Sequence, residues 1–340
     1  MRSVCTATVA VCALAVSLQA QQPATSPSPI AFAIHGGAGT ILRSRMTPEN
    51  EALIRADLTR ALTAGYDILK AGGTALDAVE AAIRILEDSP RFNAGKGAVV
   101  TSAGTFELDA AIMDGATLSA GSVAGVMHTK NPITLARRVM TRSPHVMLIG
   151  AGADAFAVAQ GLDTVPNDYF RTEIRWNQYE RTRDSVAGKL PPSAYNDPRI
   201  EKKYGTVGAI ALDRFGNLAA GTSTGGTAFK RWGRVGDSPI IGAGTYASNA
   251  DGCAVSATGT GEYFIRNTVA VDICKRVAYL HESIDHAATY VVMQKLVAQH
   301  GDGGVIAMDR RGMITQPFNT EGMYRGYVNA KGTVIVELYR

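Results

Sequence analysis

The chain has 340 residues, of which 46% are hydrophobic, so it is long enough to bury one large core or two modest ones as a globular protein. Its formal net charge at pH 7 is +4. No run of lysine and arginine is dense enough to follow a phosphate backbone, which argues against nucleic acid as a partner.

The first twenty residues have the pattern of a secretory signal. Arg2 supplies an early positive charge, an apolar stretch runs from Val4 to Leu18, and Ala20 is a small residue suited to cleavage. A membrane anchor is the alternative, but the apolar stretch is too short to cross a bilayer comfortably. We therefore predict a signal at residues 1–20 and an exported protein, periplasmic or secreted, whose mature form is free of the membrane.

Of the four cysteines, Cys5 and Cys12 lie within that signal, so the mature chain keeps Cys253 and Cys274. The sequence leaves two alternatives open for this pair. An oxidising compartment permits a disulfide if their Cα atoms approach closely enough, and two buried thiols are otherwise expected.

The N-terminal part of the mature chain reads as a strand followed by two helices. Residues 30–34 predict a buried strand that ends in a glycine-rich turn at 35–39. Helices are expected from Pro48 to the glycine pair after residue 71, and from Ala75 to Asp88, each with a threonine as its N-cap.

Beyond the second helix the pattern changes twice. Short apolar runs broken by glycine predict strands between residues 97 and 126, and two helices at 132–140 and 154–160 flank a strand at 146–149. From about residue 170 to 205 the chain is charged and polar, which predicts an exposed, flexible linker with no core to bury.

Regular structure returns abruptly with a hairpin of strands at 206–212 and 218–223. Two helices and further strands are then predicted, at 263–280, 284–299, 304–308 and 333–338. Runs of strands flanked by pairs of helices favour stacked sheets that are covered by helices on both outer faces.

The start of the hairpin has the features of a masked nucleophile. A threonine hydroxyl is a weak nucleophile until a base takes its proton, and the residue's own free α-amine is one such base. That amine exists only if the chain is cut just before it. Thr206 begins a strand directly after the polar linker, and Gly205 has no Cβ to obstruct a strained scissile peptide. This arrangement predicts self-cleavage between Gly205 and Thr206.

Eight short motifs are spread over residues 31–340, and their order and spacing make them highly specific as a set. They are His35-Gly36-Gly37-Ala38-Gly39, Phe92-Asn93-Ala94-Gly95, Glu107-Leu108-Asp109-Ala110, Met113-Asp114-Gly115, Tyr204-Gly205-Thr206-Val207-Gly208, Thr222-Ser223-Thr224-Gly225-Gly226, Gly233-Arg234-Val235-Gly236-Asp237-Ser238-Pro239 and Thr258-Gly259-Thr260-Gly261-Glu262. Together they resemble the plant-type asparaginase and isoaspartyl peptidase family of N-terminal nucleophile hydrolases.

The resemblance implies an α/β fold, the αββα four-layer sandwich of those hydrolases. Residues 21–205 would form the α chain and residues 206–340 the β chain, and both would belong to one domain. Thr206 would first attack the Gly205 carbonyl and later the substrate. The family further implies a homodimer of αβ units, which is a heterotetramer of chains.

The same resemblance assigns the remaining catalytic roles. Thr224 would hydrogen-bond Thr206 and help set its proton balance, and Asn93 would help position it. The oxyanion formed on attack would be held by the Thr258 hydroxyl and the Gly259 N–H. In isolation, each of these residues is typical of ordinary strands and turns.

Arg234 and Asp237 are candidates for binding a free amino-acid group. A planar donor fork and an anion three residues apart suit an α-carboxylate and an α-ammonium, although a weak surface salt bridge is the alternative. Within this motif the resemblance favours the clamp, with Thr258 and Gly259 beside it. It implies small-molecule substrates, L-asparagine and β-aspartyl dipeptides, and no cofactor for catalysis.

Residues 86–96 resemble the family's sodium-binding loop, in which main-chain carbonyls hold a structural Na⁺. Hard cations prefer oxygen ligands, so side-chain identity matters little there. The implied ligands are the carbonyls of Leu86, Glu87, Ser89, Phe92, Ala94 and Lys96. The six histidines show no clear spacing typical of a zinc site.

Two other functions are weighed against this one. A glycosylasparaginase is suggested by Phe229-Lys230, but that branch usually has Asp and Asn where this chain has Gly205 and Gly225. A secreted binding protein that has lost catalysis is a more remote alternative. It would remain one band on a gel, whereas the enzyme would give fragments of about 20 and 14 kDa.

Overall fold

The computed structural model describes residues 29–186 and 205–340. The predicted secretory signal, Tyr204 and residues 187–203 of the predicted linker lie outside the described residues. Within the two described stretches, no helix combines the length and apolar character that crossing a membrane requires.

In the described residues, the strands form a larger sheet of eight and a smaller sheet of four. In chain order they are β1 (Ala31–Gly39), β2 (Leu108–Asp114), β3 (Ala120–Val126), β4 (Met147–Ile149), β5 (Val207–Leu212), β6 (Leu218–Thr224), β7 (Thr245–Ser248), β8 (Cys253–Gly259), β9 (Gly303–Asp309), β10 (Ile314–Thr315), β11 (Gly322–Val328) and β12 (Val334–Tyr339). The larger sheet has the order β12-β11-β1-β5-β6-β2-β3-β4, and the smaller one β10-β9-β8-β7.

Helices cover the outer face of each sheet. They are α1 (Pro48–Lys70), α2 (Ala75–Glu87), α3 (Pro132–Arg142), α4 (Gly150–Ala159), α5 (Glu173–Val186), α6 (Gly261–Asn267), α7 (Val269–Leu280) and α8 (Ile284–Tyr290). After α8 the helical path continues as a π-helical segment, Val291–Lys295, and a 3-10 turn, Val297–Gln299.

Three apolar layers hold the sheets and helices together. The first core packs α1, α2 and α3 on the larger sheet through residues such as Leu58 and Val79. The second lies between the sheets, where Ile210 meets Ile306. The third packs α7 and α8 on the smaller sheet around Val255. The predicted αββα sandwich is therefore confirmed.

The predicted starts of the first two helices are confirmed. The side chain of Thr47 accepts a hydrogen bond from the Asn50 N–H before α1, and Thr74 accepts one from Asp77 before α2, each at 3.2 Å. Such capping satisfies one of the free N–H groups at a helix start.

Several predicted boundaries differ from the structure. Residues 35–39 do not form a turn, because β1 continues through them with a bulge between His35 and Gly37. Residues 98–100 do not form a strand. The single helix predicted at 263–280 is two helices, since Thr268 adopts the left-handed conformation at φ 46°.

The prediction of an exposed linker from residue 170 is wrong for residues 170–186. Phe170 is fully buried and packs edge-on against Tyr169, with ring centroids 5.3 Å apart. In α5, Gln178 and Thr182 are buried despite their polarity. A few anchoring side chains thus dock a helix whose composition is otherwise that of a solvated segment.

Cys253 and Cys274 form a disulfide between β8 and α7. The Cα atoms of Cys253 and Cys274 lie 5.3 Å apart, and both residues are fully buried. Of the two alternatives that the sequence left open, the structure has the disulfide.

Candidate active site

The predicted nucleophile lies beside a second threonine at one end of a hairpin. β5 and β6 pair antiparallel with Val207 opposite Ser223, which brings Thr206 next to Thr224. The Thr206 hydroxyl donates a hydrogen bond of 3.0 Å to Thr224 Oγ1, and this oxygen also accepts the Gly226 N–H at 3.0 Å. Thr206 is 8% exposed. Its hydroxyl is thus oriented, and its proton has a nearby acceptor.

Asn93 connects the predicted cleavage site to the loop after β6. Its N–H donates to the Gly205 carbonyl at 2.9 Å, and its side-chain Nδ2 donates to the Gly226 carbonyl at 2.7 Å. Its Oδ1 accepts the Val99 N–H at 2.9 Å. A Cβ on Gly225 would lie 2.6 Å from this Oδ1, so the close approach of the two chains requires glycine there.

His35 anchors the main chain of Thr206, a contact that was not predicted from the sequence. Its Nδ1 donates to the Thr206 carbonyl at 3.1 Å, while Nε2 lies 2.9 Å from Ser256 Oγ. Complete burial lowers the pKa of His35 to about 3, despite its hydrogen bond to Thr206, so the ring is neutral. Ser256 in turn meets Thr222 Oγ1 at 2.7 Å. The signal was present, since a histidine in a continuous apolar strand needs buried partners.

Thr258 and Gly259 lie at the end of β8, in the smaller sheet. The Thr258 hydroxyl is buried and accepts the Ala38 N–H at 3.3 Å. Thr258 follows Ser256 by two residues, and side chains two apart in a strand share a face. The side chains of Ser256 and Thr258 therefore both point toward β1 of the larger sheet. β1 in turn pairs with β5, with His35 opposite Gly208, two residues after Thr206.

The predicted clamp residues are brought together, with an additional partner. Arg234 donates from Nε and Nη2 to the two carboxylate oxygens of Glu262, each at 3.0 Å. Asp237 is buried, and its Oδ2 has no hydrogen-bond partner among the described residues. Burial raises the pKa of Asp237 to about 7, although the Arg234 charge opposes this rise, and the charges of Glu262 and Asp109 add to it. A surface salt bridge between Arg234 and Asp237, the alternative reading of this pair, is absent from the described structure.

Phe229 and Lys230 connect the loop after β6 to the segment that precedes residue 205. Lys230 is buried and donates to the Glu107 carbonyl at 3.0 Å, with its Nζ 3.9 Å from Asp109 Oδ2. The Phe229 ring lies 5.9 Å from that of Tyr179 in α5. The Phe229 ring thus packs against α5, a helix that the sequence did not predict.

The loop of the predicted sodium ligands is held by its side chains on both flanks. Glu87 Oε1 accepts the Ser223 hydroxyl at 2.6 Å, and burial raises the pKa of Glu87 to about 8 despite this bond. Ser89 donates to Asp57 at 2.6 Å. Lys96 Nζ lies 4.2 Å from the centre of the Tyr169 ring. Each of these side chains thus has a partner, although Glu87 Oε2 has none among the described residues.

The main chain of this loop turns tightly. Gly95 has a φ of 50°, and a Cβ on Gly97 would lie 2.9 Å from the Pro90 carbonyl oxygen and closer still to that of Phe92. Carbonyl oxygens therefore converge on the Gly95–Gly97 turn. Among the described residues, histidine, cysteine, aspartate and glutamate form no cluster of three that could hold a metal.

Comparison with known proteins gives this geometry a context. A family model described as asparaginase matches residues 28–337. The chain is 51% identical to the isoaspartyl peptidase of Salmonella typhimurium over 91% of its length and 98% of the relative's. The isoaspartyl peptidase of Escherichia coli is also 51% identical, over 91% of this chain and 96% of its own. The human isoaspartyl peptidase/L-asparaginase is 40% identical over 84% and 88%, respectively. The chain therefore belongs to the asparaginase family.

Proposed function

We propose that the protein is an isoaspartyl peptidase with L-asparaginase activity that matures by cutting its own Gly205–Thr206 bond. The names of the relatives support the substrates. The observation that carries the proposal is the hydroxyl pair of Thr206 and Thr224 at 3.0 Å, directly after a glycine whose carbonyl is held by Asn93. An inactive binding protein would not need an oriented hydroxyl beside that peptide.

Maturation begins with attack of Thr206 Oγ1 on the Gly205 carbonyl carbon. The new C–O bond forms, the C–N bond to Thr206 breaks, and the hydroxyl proton passes to the departing nitrogen. The Asn93 N–H, 2.9 Å from the carbonyl oxygen, is placed to stabilise negative charge on it. Water then hydrolyses the ester, which gives a Gly205 carboxylate and a free α-amine on Thr206.

Hydrolysis reuses the same hydroxyl. The α-amine takes the proton as Oγ1 attacks the β-carbonyl of the substrate, and Thr258 with Gly259 stabilises the oxyanion. The leaving amine takes a proton as the C–N bond breaks, and water releases aspartate from the acyl-enzyme. Arg234 binds the α-carboxylate and Asp237 the α-ammonium, which asparagine and β-aspartyl dipeptides share.

Three further properties belong to the same proposal. The protein is exported after removal of residues 1–20, and its αβ units form a dimer. The loop at residues 86–96 would hold a structural Na⁺ through the carbonyls of Leu86, Glu87, Ser89, Phe92, Ala94 and Lys96, of which those of Glu87 and Phe92 lie close to Gly95 and Gly97. Bound sodium supplies rigidity there and takes no part in the reaction. A sodium-dependent rise in melting temperature, absent with choline, is the expected result.

The cleavage test compares wild type with Thr206→Ala. Wild type should give two bands, the smaller beginning at Thr206 by N-terminal sequencing, and should release ammonia from asparagine. Thr206→Ala should stay one chain and be inactive, because one hydroxyl serves both reactions. Thr320→Ala is a matched control, since Thr320 is also 8% exposed. Active wild type that remains uncut would refute the proposal, and faster turnover of glycosylated asparagine would favour a glycosylasparaginase.

A further inference from the structure

Glu262 occupies the donor fork that the substrate's α-carboxylate is expected to need. It lies in the first turn of α6, and its two oxygens take the Nε and Nη2 donors of Arg234 at 3.0 Å each. The Arg234 side chain is 10% exposed, whereas that of Glu262 is 45% exposed. Nη1 lies toward Gly226 and Gly236, where the absence of a Cβ leaves room beside the guanidinium.

Arg234 and Asp237 face each other without pairing. A Cβ on Gly261 would lie 2.9 Å from Arg234 Nη2 and 2.9 Å from Asp237 Oδ1, so both groups border the same point. Gly261 does not have a positive φ, so space rather than backbone conformation requires glycine there. Asp237 Oδ2 nevertheless has no hydrogen-bond partner in the described part of the chain.

Two buried opposite charges this close should attract each other strongly. An arginine released from other partners would pair with the buried carboxylate, because unpaired buried charge is costly. Such a pair would neutralise both groups that must bind a zwitterionic substrate. The bidentate bond of Arg234 to Glu262 competes with this pairing of Arg234 and Asp237.

We propose that Glu262 is a positioning residue that keeps the amino-acid site open, by holding Arg234 away from Asp237. The α-carboxylate of the substrate then binds the remaining Nη1 edge of Arg234, and its ammonium binds the free Oδ2 of Asp237. This inference rests on the proposed function. It extends that function by adding a residue that acts on the substrate only through Arg234.

The first test measures KM and kcat of Glu262→Gln and Glu262→Asp. The aspartate keeps the charge but is one methylene too short to span the fork. Both variants should self-cleave fully, keep kcat within about threefold, and raise KM for asparagine at least tenfold. Glu282→Gln is the matched control, since Glu282 binds Arg276 by the same two-bond arrangement, at 2.8 and 2.6 Å. It should leave KM unchanged.

The second test is a double-mutant cycle with Asp237→Asn. If Arg234 collapses onto Asp237, Glu262→Asp should raise KM tenfold or more in the parent but less than threefold once the anion is gone. A purely structural role would give equal effects in both backgrounds. That outcome, or a KM that stays the same or falls in Glu262→Asp, would overturn the inference. Wild type that neither cuts nor hydrolyses would instead count against the proposed function itself.

Discussion

The activity of the proposed site should depend on pH through Asp237. Burial raises the pKa of this carboxyl to about 7, so below that pH the empty site holds it mostly protonated. A substrate ammonium needs the ionised form. We therefore expect ionisation of Asp237 to contribute a tenfold rise in kcat/KM per pH unit up to about pH 7 and no further rise above it. The corresponding rise in kcat should occur at lower pH, because the bound substrate ammonium stabilises the Asp237 carboxylate and lowers its pKa.

Asp237→Asn should remove this pH dependence and weaken the enzyme above about pH 7, where the wild-type carboxyl is ionised. Truncating one member of a buried charge pair costs at least about 2 kcal/mol, which lowers kcat/KM about 30-fold or more. The assay is ammonia release from asparagine between pH 5 and 9. The free α-amine of Thr206, with an ordinary pKa of about 7.7–8.0, gives a separate limb that appears in kcat as well. An unchanged kcat/KM limb in the variant would refute this assignment.

Stability should change in the opposite direction from activity. The unfolded carboxyl ionises near pH 3.8 and the folded one near pH 7, so the folded state holds more protons between these values. Stability is therefore lost as pH rises through that window, and the loss is complete above about pH 7. It amounts to about 4 kcal/mol at most. Asp237→Asn should melt above wild type at pH 8 but not at pH 4, and a lower melting temperature at pH 8 would contradict the reasoning.

Three other changes have clear expected outcomes. Arg234→Ala should still self-cleave on a gel while asparagine turnover collapses, because Arg234 is proposed to bind the substrate and has no role in the cleavage step. Undiminished turnover would exclude the clamp. Replacing Cys253 and Cys274 together by alanine should cost about 2–4 kcal/mol in denaturant unfolding, and a reductant should then have no further effect. Burial raises the pKa of Glu87 to about 8, so wild type should lose stability as pH rises from 4.5 to about 8. Glu87→Gln should not show this loss. Identical melting curves for the two proteins at pH 9 would argue against this assignment.

The sequence predicted the layers well because apolar period and capping are local signals. Thr47 and Thr74 cap their helices as expected, and Val79, Ile83 and Leu86 are buried on one face of α2. The helix α5 was missed because its anchoring depends on distant partners. Trp176 and Tyr179 pack on each other, and Tyr179 on Phe229, contacts that a polar composition does not indicate.

The candidate site was predicted from motifs, and the structure adds the partners that motifs leave unnamed. The family resemblance paired Thr206 with Thr224, and the register of the hairpin places the two side by side. The contacts of His35 with Ser256 and of Arg234 with Glu262 join segments 221 and 28 residues apart. No local pattern determines such contacts, because they follow from how two sheets and a helix are stacked.

The order of strands in the larger sheet determines how the two chains of the proposed cleaved enzyme would be held together. β1, from the segment before residue 205, is hydrogen-bonded on one side to β11 and on the other to β5, both from the segment after it. β2 likewise borders β6. A backbone break before Thr206 would therefore leave two polypeptides whose strands alternate within one sheet. They could separate only if the sheet unfolded. Size exclusion under native conditions should therefore show no loss of mass after cleavage of the Gly205–Thr206 bond. The new N-terminus at Thr206 would remain fixed at the start of β5.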